Sequence, residues 1–303
     1  MPLPVDRRVL LAFAGVVVLG GTNLVLVVVT TRELDPLWSA GLRFGGAALL
    51  ALIAVVALRL PMPAGRVLAI AAVYGALAFF LGFALFYWGV QRVPAGVASV
   101  IMGAVPLLTF LLAFAQRIER FRVRGLVGAC LAIAGIALIS ARPSGAAIPV
   151  LSLLAVVGAA ASAAQAAIVV RRMPDVHPLV ANAVGLVVGA VLLLATSFAV
   201  GEQHVAPESR GAGVAIAVMV VSTPLLFVLF VFVVQRWSAS AASYQFVLFP
   251  LVSVVLAALL LDEPVAVSLL IGAPLVLLGT YVGALMPDRG PAVEPGVPTR
   301  STG

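Results

Sequence analysis

The chain has no lysine and little charge of either sign. Charged residues make up 10% of its 303 positions, whereas apolar residues make up 63%, and the mean hydropathy is +1.23. A soluble domain typically has about 25% charged and 45–50% apolar residues. So few polar residues cannot cover a folded chain of this length in water. The composition therefore excludes an ordinary soluble domain and makes lipid the solvent for much of the chain.

The residues that most enzymes and metal sites require are also scarce. The one cysteine, Cys130, cannot form an internal disulfide, and the two histidines, His177 and His204, show no metal-ligand spacing. The sequence has no GxSxG, HExxH or phosphate-binding P-loop motif. We therefore expect no catalytic residues, no cofactor and no metal site. A membrane-embedded enzyme remains the alternative from a different functional class.

What the sequence has instead is a series of apolar runs of membrane-spanning length. A helix needs about 20 residues to cross the hydrocarbon core of a bilayer. The runs predict an all-α integral membrane protein with ten transmembrane helices, followed by a disordered cytoplasmic tail at 287–303 that is rich in Pro, Gly, Ser and Thr. The predicted spans are 9–30, 37–58, 67–90, 94–116, 123–140, 148–170, 178–200, 211–234, 238–261 and 265–286.

The positions of the arginines predict the orientation in the membrane. With the N-terminus inside the cell, thirteen arginines fall on the inside, and the outside loops hold only Arg32, Arg92, Arg142 and Arg210. Cytoplasmic loops carry an excess of basic residues. We therefore predict a multi-pass protein of the cell (cytoplasmic) membrane with both termini in the cytoplasm. The net charge of +7 then reflects orientation in the lipid bilayer and not binding to nucleic acid.

Two stretches of the chain are nearly the same. QRVPAGVASVIMGAVP at 91–106 aligns with QRWSASAASYQFVLFP at 235–250, 144 residues later, and the same register pairs Gly128 with Gly272 and Gly135 with Gly279. Upstream the offset becomes 142, which pairs Asn23 with Gln165 and Pro36-Leu37 with Pro178-Leu179. Each copy holds five spans, so the second copy must enter the membrane upside down. We predict inverted repeats at 1–143 and 144–286, an arrangement that many secondary transporters build around a midplane site.

Four stretches of the chain carry a resemblance to a known family. They are RFGGAALLALI, QRVPAGVASVIMGAVPLLTFLLAFAQRIE, RGLVGACLAIAGIAL and QFVLFPLVSVVLAALLLDEPVAVSLLIGAPLVLLG. Together with the repeat they resemble the drug/metabolite transporter superfamily, in particular its ten-helix members with two EamA-type repeats. The resemblance implies a secondary transporter of small metabolites, with a leaning towards export of amino acids and related compounds. A flippase or efflux protein for lipids or hydrophobic drugs is the alternative, and a monomer and a homodimer are equally compatible.

Arg43 is the one charge clearly within a predicted span. An arginine at the bilayer centre costs about 2.5–3.5 kcal/mol on insertion scales, so such a residue usually faces protein or water. One interpretation is that Arg43 attracts a carboxylate of the substrate. The other is that it lies close enough to the outer end of its helix to reach the interface or the loop carbonyls there.

The remaining candidates are uncharged. Polar groups at mid-depth either face a cavity or join helices, while Phe83 shares a helix face with Phe79 and could line an amphipathic pocket. Tyr87 and Trp88 are predicted to belong to an aromatic belt at the interface. Pro106 and Pro250, near the centres of two spans, are predicted hinges lining the cavity, with static bends as the alternative. The predicted substrate-binding residues are Asn23, Arg43, Phe83, Ser99, Gln165, Ser243 and Tyr244.

The eleven carboxylates all fall in loops, tails or helix ends. Proton-driven carriers typically relay protons through Asp, Glu or His buried in the membrane. The sequence therefore favours a facilitator or an exchanger, or coupling through a carboxylate at the interface, and it disfavours strongly cationic drugs as substrates.

Overall fold

The computed structural model describes most of the predicted membrane region. Within the described ranges the chain is helical and forms no strand, as the sequence predicts. The predicted tail at 287–303 lies outside these ranges. The described residues are 7–117, 123–140, 148–171, 173, 176–236, 239–262 and 267–282.

Ten helical segments account for almost all of these residues, and each overlaps one predicted span. We number them α1 (Arg7–Thr30), α2 (Pro36–Ala57), α3 (Gly65–Gly89), α4 (Ala95–Ala115), α5 (Val123–Ser140), α6 (Val150–Arg171), α7 (Pro178–Val200), α8 (Arg210–Arg236), α9 (Ala239–Leu260) and α10 (Val267–Thr280). Seven of them, α1 to α4 and α6 to α8, are long and apolar enough to cross a membrane. The other three are apolar over shorter described stretches, Val123–Ile136, Gln245–Leu260 and Val267–Thr280.

The helices carry apolar residues on their outer faces as well as on their inner ones. On α2, Ala40, Phe44 and Ala47 are fully buried, while Leu49 and Ile53 on the opposite face are more than half exposed. An apolar face of this size on a soluble protein would cause association. On a multi-pass membrane protein it is the surface that meets the lipid, so the exposed pattern agrees with the composition.

Helix contacts between the two halves of the chain fall into matching sets. α2 packs against α7, α4 against α9 and α5 against α10. In addition, α1 packs on α8 as α6 packs on α3, α1 on α9 as α6 on α4, and α2 on α8 as α7 on α3. If α1 to α5 are exchanged with α6 to α10, each of these helix contacts becomes another contact of the same set or itself.

Glycines allow several of these helices to come into backbone contact. A Cβ atom on Gly135 would lie 2.7 Å from the carbonyl oxygen of Gly272, and one on Gly279 would lie 2.5 Å from that of Gly128. The earlier residue of α5 thus meets the later residue of α10 and the reverse, so the two helices run antiparallel. Small residues at such crossings are the usual means of close helix packing in membranes.

Two helices are interrupted within the membrane region. In α3 the residues Ala76–Leu81 form a π-helical stretch, and in α4 the helix breaks at Gly103 and Ala104. Pro106 follows this break as the second residue of the continuing helix, whereas α9 runs through Pro250 without interruption. The matched prolines therefore sit in different local structures, and their role as hinges remains a prediction.

Candidate functional site

Arg43 lies inside the helix bundle. Its side chain is 4% exposed. The Nε atom donates a hydrogen bond to Thr223 Oγ1 on α8 at 2.9 Å, and an Nη1 atom donates a longer one of 3.4 Å to Tyr87 Oη on α3. The alternative that Arg43 extends to the outer interface is therefore wrong, because its side chain is buried and its hydrogen bonds go to two neighbouring helices.

Aromatic rings cover the guanidinium of Arg43. Its Cζ atom lies 4.8 Å from the centroid of the Phe44 ring and 5.2 Å from that of Phe83, and the two rings lie 4.6 Å apart. Both distances fall within the range of cation–π attraction, which strengthens where water is excluded. The structure thus brings Phe83, a predicted site residue, into contact with Arg43.

No carboxylate pairs with Arg43 among the residues that the structure describes. Its polar partners are the hydroxyl groups of Thr223 and Tyr87, and the ring faces carry only partial charge. A buried charge without a counter-ion is costly and marks a functional site by default. The arrangement favours an anionic group as the missing partner.

Asn23 adds a second polar group from α1. Ser222, next to Thr223 in α8, donates to Asn23 Oδ1 at 3.0 Å. The Nδ2 atom of Asn23 is buried and has no hydrogen-bond partner within the described residues. Leaving such a donor unsatisfied costs about 1–3 kcal/mol. The cluster of Asn23, Arg43, Tyr87, Ser222 and Thr223, which we call the Arg43 cluster, therefore offers a cation and a spare amide donor.

The helices that border the Arg43 cluster are irregular beside it. Pro224, which directly follows Thr223, has no N–H and so cannot bond to the carbonyl of Val220. In α3 the π-helical stretch replaces the regular backbone hydrogen bonds of an α-helix. Within it, the carbonyl oxygen of Leu77 accepts a hydrogen bond of 2.8 Å from the hydroxyl of Ser162. Such π-helical stretches occur frequently at functional sites.

Two other predicted site residues lie apart from this cluster. Ser99 is buried in α4 and donates to the carbonyl oxygen of Gly96 in its own helix at 2.8 Å. Gln165 on α6 accepts a hydrogen bond of 2.7 Å from the Nε2 atom of Gln116, and Gln116 is an exposed residue. The side chains of Ser243 and Tyr244 lie outside the described part of the structure. All four remain predictions.

Tyr87 is the residue that the sequence interpretation misplaced. We expected it in an aromatic belt at the interface, yet it is fully buried, bonded to Arg43, and it donates to Met219 Sδ at 3.9 Å. Its position could have been found from spacing, because Phe79, Phe83 and Tyr87 recur every four residues and so share one helix face.

The carboxylates at the end of the bundle near Pro36 hold connections together. Glu202 accepts the backbone N–H groups of Leu37 at 3.0 Å and Trp38 at 2.7 Å, and the hydroxyl of Ser197 at 2.7 Å. It therefore caps the first turn of α2 from the end of α7. Nothing in the sequence near Glu202 indicates the contact with α2, since Leu37 and Trp38 lie more than 160 residues away.

The neighbouring connections are joined in the same way. Asp35 accepts the N–H of Gln203 at 2.7 Å, and Glu33 accepts that of Ser209 at 3.0 Å. Hydrogen bonds from Ser209 hold the pKa of Glu33 below its usual value. These carboxylates serve backbone donors of the α7–α8 connection and do not reach the Arg43 cluster.

Comparison with known proteins supplies the family. The sequence profile of the EamA-like transporter family matches residues 7–141 and again residues 150–284. The chain belongs to this family. It is a multi-pass membrane protein of the drug/metabolite transporter superfamily, and the resemblance noted from the sequence is confirmed.

Several named proteins are similar to this EamA-like chain. An uncharacterized transporter of Bacillus subtilis (strain 168), YvbV, is 32% identical over 65% of this chain and 67% of its own length. Probable amino-acid metabolite efflux pumps of Salmonella typhimurium (strain LT2) and Escherichia coli (strain K12) are 29% and 28% identical, each over 88% of this chain and 91% of their own. One solved crystal structure superposes with a TM-score of 0.64 at 20% identity, covering 91% of this chain and 96% of that one. That likeness concerns the fold alone.

Proposed function

We propose that this chain is a secondary transporter that exports or exchanges small metabolites bearing a carboxylate, such as amino acids and related compounds. The observation that carries the proposal is the buried guanidinium of Arg43, which pairs with no carboxylate of the described residues. The names of the Salmonella and Escherichia relatives, probable amino-acid metabolite efflux pumps, support the same substrate class.

In this proposal the substrate completes the Arg43 cluster. Its carboxylate takes the place of the missing counter-ion, because charge-assisted hydrogen bonds from a guanidinium to a carboxylate are about twice as strong as neutral ones. The Nδ2 atom of Asn23 donates to a second oxygen, which satisfies the orphan donor. The rings of Phe44 and Phe83 contact the apolar part of the metabolite.

Transport follows by alternating access between two inverted five-helix repeats, 1–143 and 144–286. The matching sets of helix contacts support this arrangement, and so does the antiparallel contact of α5 with α10 through paired glycines. The two separate matches to the EamA profile support it further. With repeats of this kind, two conformations of nearly equal energy open the same site to opposite sides.

The proposed setting is the cytoplasmic membrane with both termini inside the cell. The arginine distribution supports this orientation. It places the α1–α2, α3–α4 and α7–α8 connections on the outer side, and we refer to that end of the bundle as the outer end. The proposed working unit is a monomer or a homodimer, and it needs no cofactor.

The test is counterflow in proteoliposomes containing the purified protein. Vesicles are preloaded with one unlabelled candidate at a time, headed by amino acids and small carboxylates, and the labelled compound is added outside at equal pH. Transient accumulation of label with one candidate is the expected result and names the substrate class. No accumulation with any carboxylate, together with bilayer scrambling of a labelled lipid, would overturn the proposal in favour of a lipid flippase.

A further inference from the structure

A recess at the outer end of the bundle combines two arginines from different connections. It has a cavity volume of about 290 Å³ and lies between the α1–α2 and α3–α4 connections. We propose that this recess binds an oxyanion, a carboxylate or a phosphate, ahead of the Arg43 cluster. The residues that line it are Val28, Thr31, Arg32, Val90, Gln91, Arg92, Val93 and Pro94.

Both arginines of the recess are available for an anion. Arg32 and Arg92 are exposed, and neither pairs with a carboxylate within the described part of the chain. The acidic residues that could have neutralised them are engaged elsewhere, since Glu33 accepts from Ser209 and Asp35 from Gln203. The recess is therefore a concave surface with two cations and no described counter-ion.

The helix ends around the recess do not use the two guanidinium groups. Arginines after a helix C-terminus often interact with its last carbonyls, and Arg32 and Arg92 follow the ends of α1 and α3. Here the hydroxyl of Thr31 donates to the carbonyl oxygens of Val27 and Val28, and the backbone N–H of Val93 donates to that of Gly89. These three carbonyls thus have donors other than the two arginines.

The N-terminus of α4 adds to the positive potential of the recess. Pro94 lines the cavity and immediately precedes Ala95, the first residue of α4. A helix N-terminus carries a partial positive charge and binds anions readily. The two arginines, the concave surface and the helix N-terminus therefore all favour binding of an anion. Gln91 also lines the recess, and its side-chain amide can donate a further hydrogen bond.

The recess lies beyond the Arg43 cluster towards the ends of α1 and α3. Val28 follows Asn23 by five residues on α1, and Val90, the residue directly after α3, follows Tyr87 by three residues, which is about 7.5 Å and about 4.5 Å at a rise of about 1.5 Å per residue. Three of the residues that line the recess, Val28, Val90 and Val93, have buried apolar side chains. An anion bound by the two arginines would therefore also contact apolar residues of the recess. That it then passes to Arg43 rests on the proposed function.

Binding to the recess is measured by ¹⁹F NMR line broadening of trifluoroacetate, a small carboxylate, with the full chain in nanodiscs of zwitterionic lipid. We expect broadening at low salt that falls at least fivefold in the double variant R32Q/R92Q and persists in R32K/R92K. The matched control is R210Q, which removes an exposed arginine at the same end, outside the recess, and keeps the broadening. Equal broadening in the wild-type protein and R32Q/R92Q, with unchanged melting temperatures, would overturn the proposal.

Two further arms separate the sources of the oxyanion and the two proposals. If phosphatidylglycerol in the nanodisc abolishes the broadening, the recess takes lipid headgroups. If the broadening persists, the recess takes water-soluble anions. Arg43→Gln should abolish counterflow and keep the broadening at the recess, whereas R32Q/R92Q should raise the KM of counterflow several-fold with little change in its maximal rate. Each proposal can therefore fail while the other stands.

Discussion

Arg43 in α2 and Gly185 in α7 lie 142 residues apart, at positions that the proposed repeat pairs, and their surroundings differ completely. Arg43 meets α8 through the hydroxyl of Thr223. Gly185 meets α3 through Phe79, whose ring carbon would lie 2.9 Å from a Cβ atom on the glycine. The offset of 144, which holds from Gln91 onwards, pairs Thr223 with Phe79 when it is extended back by twelve residues. The equivalent helix crossing thus carries a charge in one case and is uncharged and closely packed in the other.

This difference separates what the fold requires from what the chemistry requires. Both crossings need helices that fit each other, and both halves supply them. In the proposed function the charged site is needed only once, because a single substrate would occupy it. The second crossing is filled by Phe79, Tyr74 and Asn182, with the hydroxyl of Tyr74 donating to Asn182 Oδ1 at 3.0 Å. It leaves no space for a ligand at Gly185.

The largest expected effect comes from breaking the closed crossing with Gly75→Ala. A Cβ atom there would lie 2.6 Å from the Cα and carbonyl oxygen of Gly185, and backbone atoms cannot move aside as a side chain can. We expect the free energy of unfolding to fall by about 3 kcal/mol, the upper range for overpacking. Thermal melting in detergent measures it. The control is Gly45→Ala in α2, where a Cβ meets nothing within 4 Å and stability should hold or rise slightly.

The next effect sharpens the comparison of Asn23 with Gln165. Asn23 is buried beside Ser222, whereas its paired residue Gln165 bonds to Gln116 near the surface. Asn23→Ala should reduce uptake efficiency in counterflow about 5- to 10-fold, the loss of one hydrogen bond of about 1 kcal/mol. Gln165→Ala should change it less than twofold. Equal losses at both positions would show that the site is shared between the halves.

The smallest effect compares the caps of the two paired helices. Pro36 begins α2 and Pro178 begins α7. The backbone N–H of Leu37 donates to Glu202, which lies in the distant α7–α8 connection, whereas that of Leu179 donates to Nδ1 of His177, two residues earlier, at 3.3 Å. Glu202→Gln should lower the free energy of unfolding by about 1 kcal/mol and His177→Ala by about 0.5 kcal/mol, the usual range for caps. Melting curves of both variants decide it, and a larger loss for His177→Ala would contradict the assignment.

Sequence reasoning predicted those features that depend on local composition or on the repeat. The helices follow the apolar runs because lipid allows few other structures, and Pro36 and Pro178 begin their helices as the register requires. The register also pairs Gly128 with Gly272 and Gly135 with Gly279, and the structure places these four glycines at the contact of α5 with α10. All of these depend on neighbours or on one constant offset.

Features that depend on how helices rotate against one another were not predictable in the same way. The spacing places Tyr87 on the same face of α3 as Phe79 and Phe83, but the sequence does not show that this face turns towards Arg43. It pairs Asn23 with Gln165 without showing that one is buried and the other meets Gln116. It gives no sign that Glu202 reaches α2. Each of these is a contact between helices far apart in sequence.

The central claim is that Arg43 binds the substrate, and counterflow of the Arg43→Gln variant tests it most directly. The wild-type protein and the variant are reconstituted at equal amounts, with melting curves to show that both are folded. Loss of a charge-assisted contact of about 1.5–3 kcal/mol predicts a decrease of about 10- to 100-fold in uptake efficiency. Uptake with unchanged KM and maximal rate would contradict the claim and make Arg43 a purely structural residue.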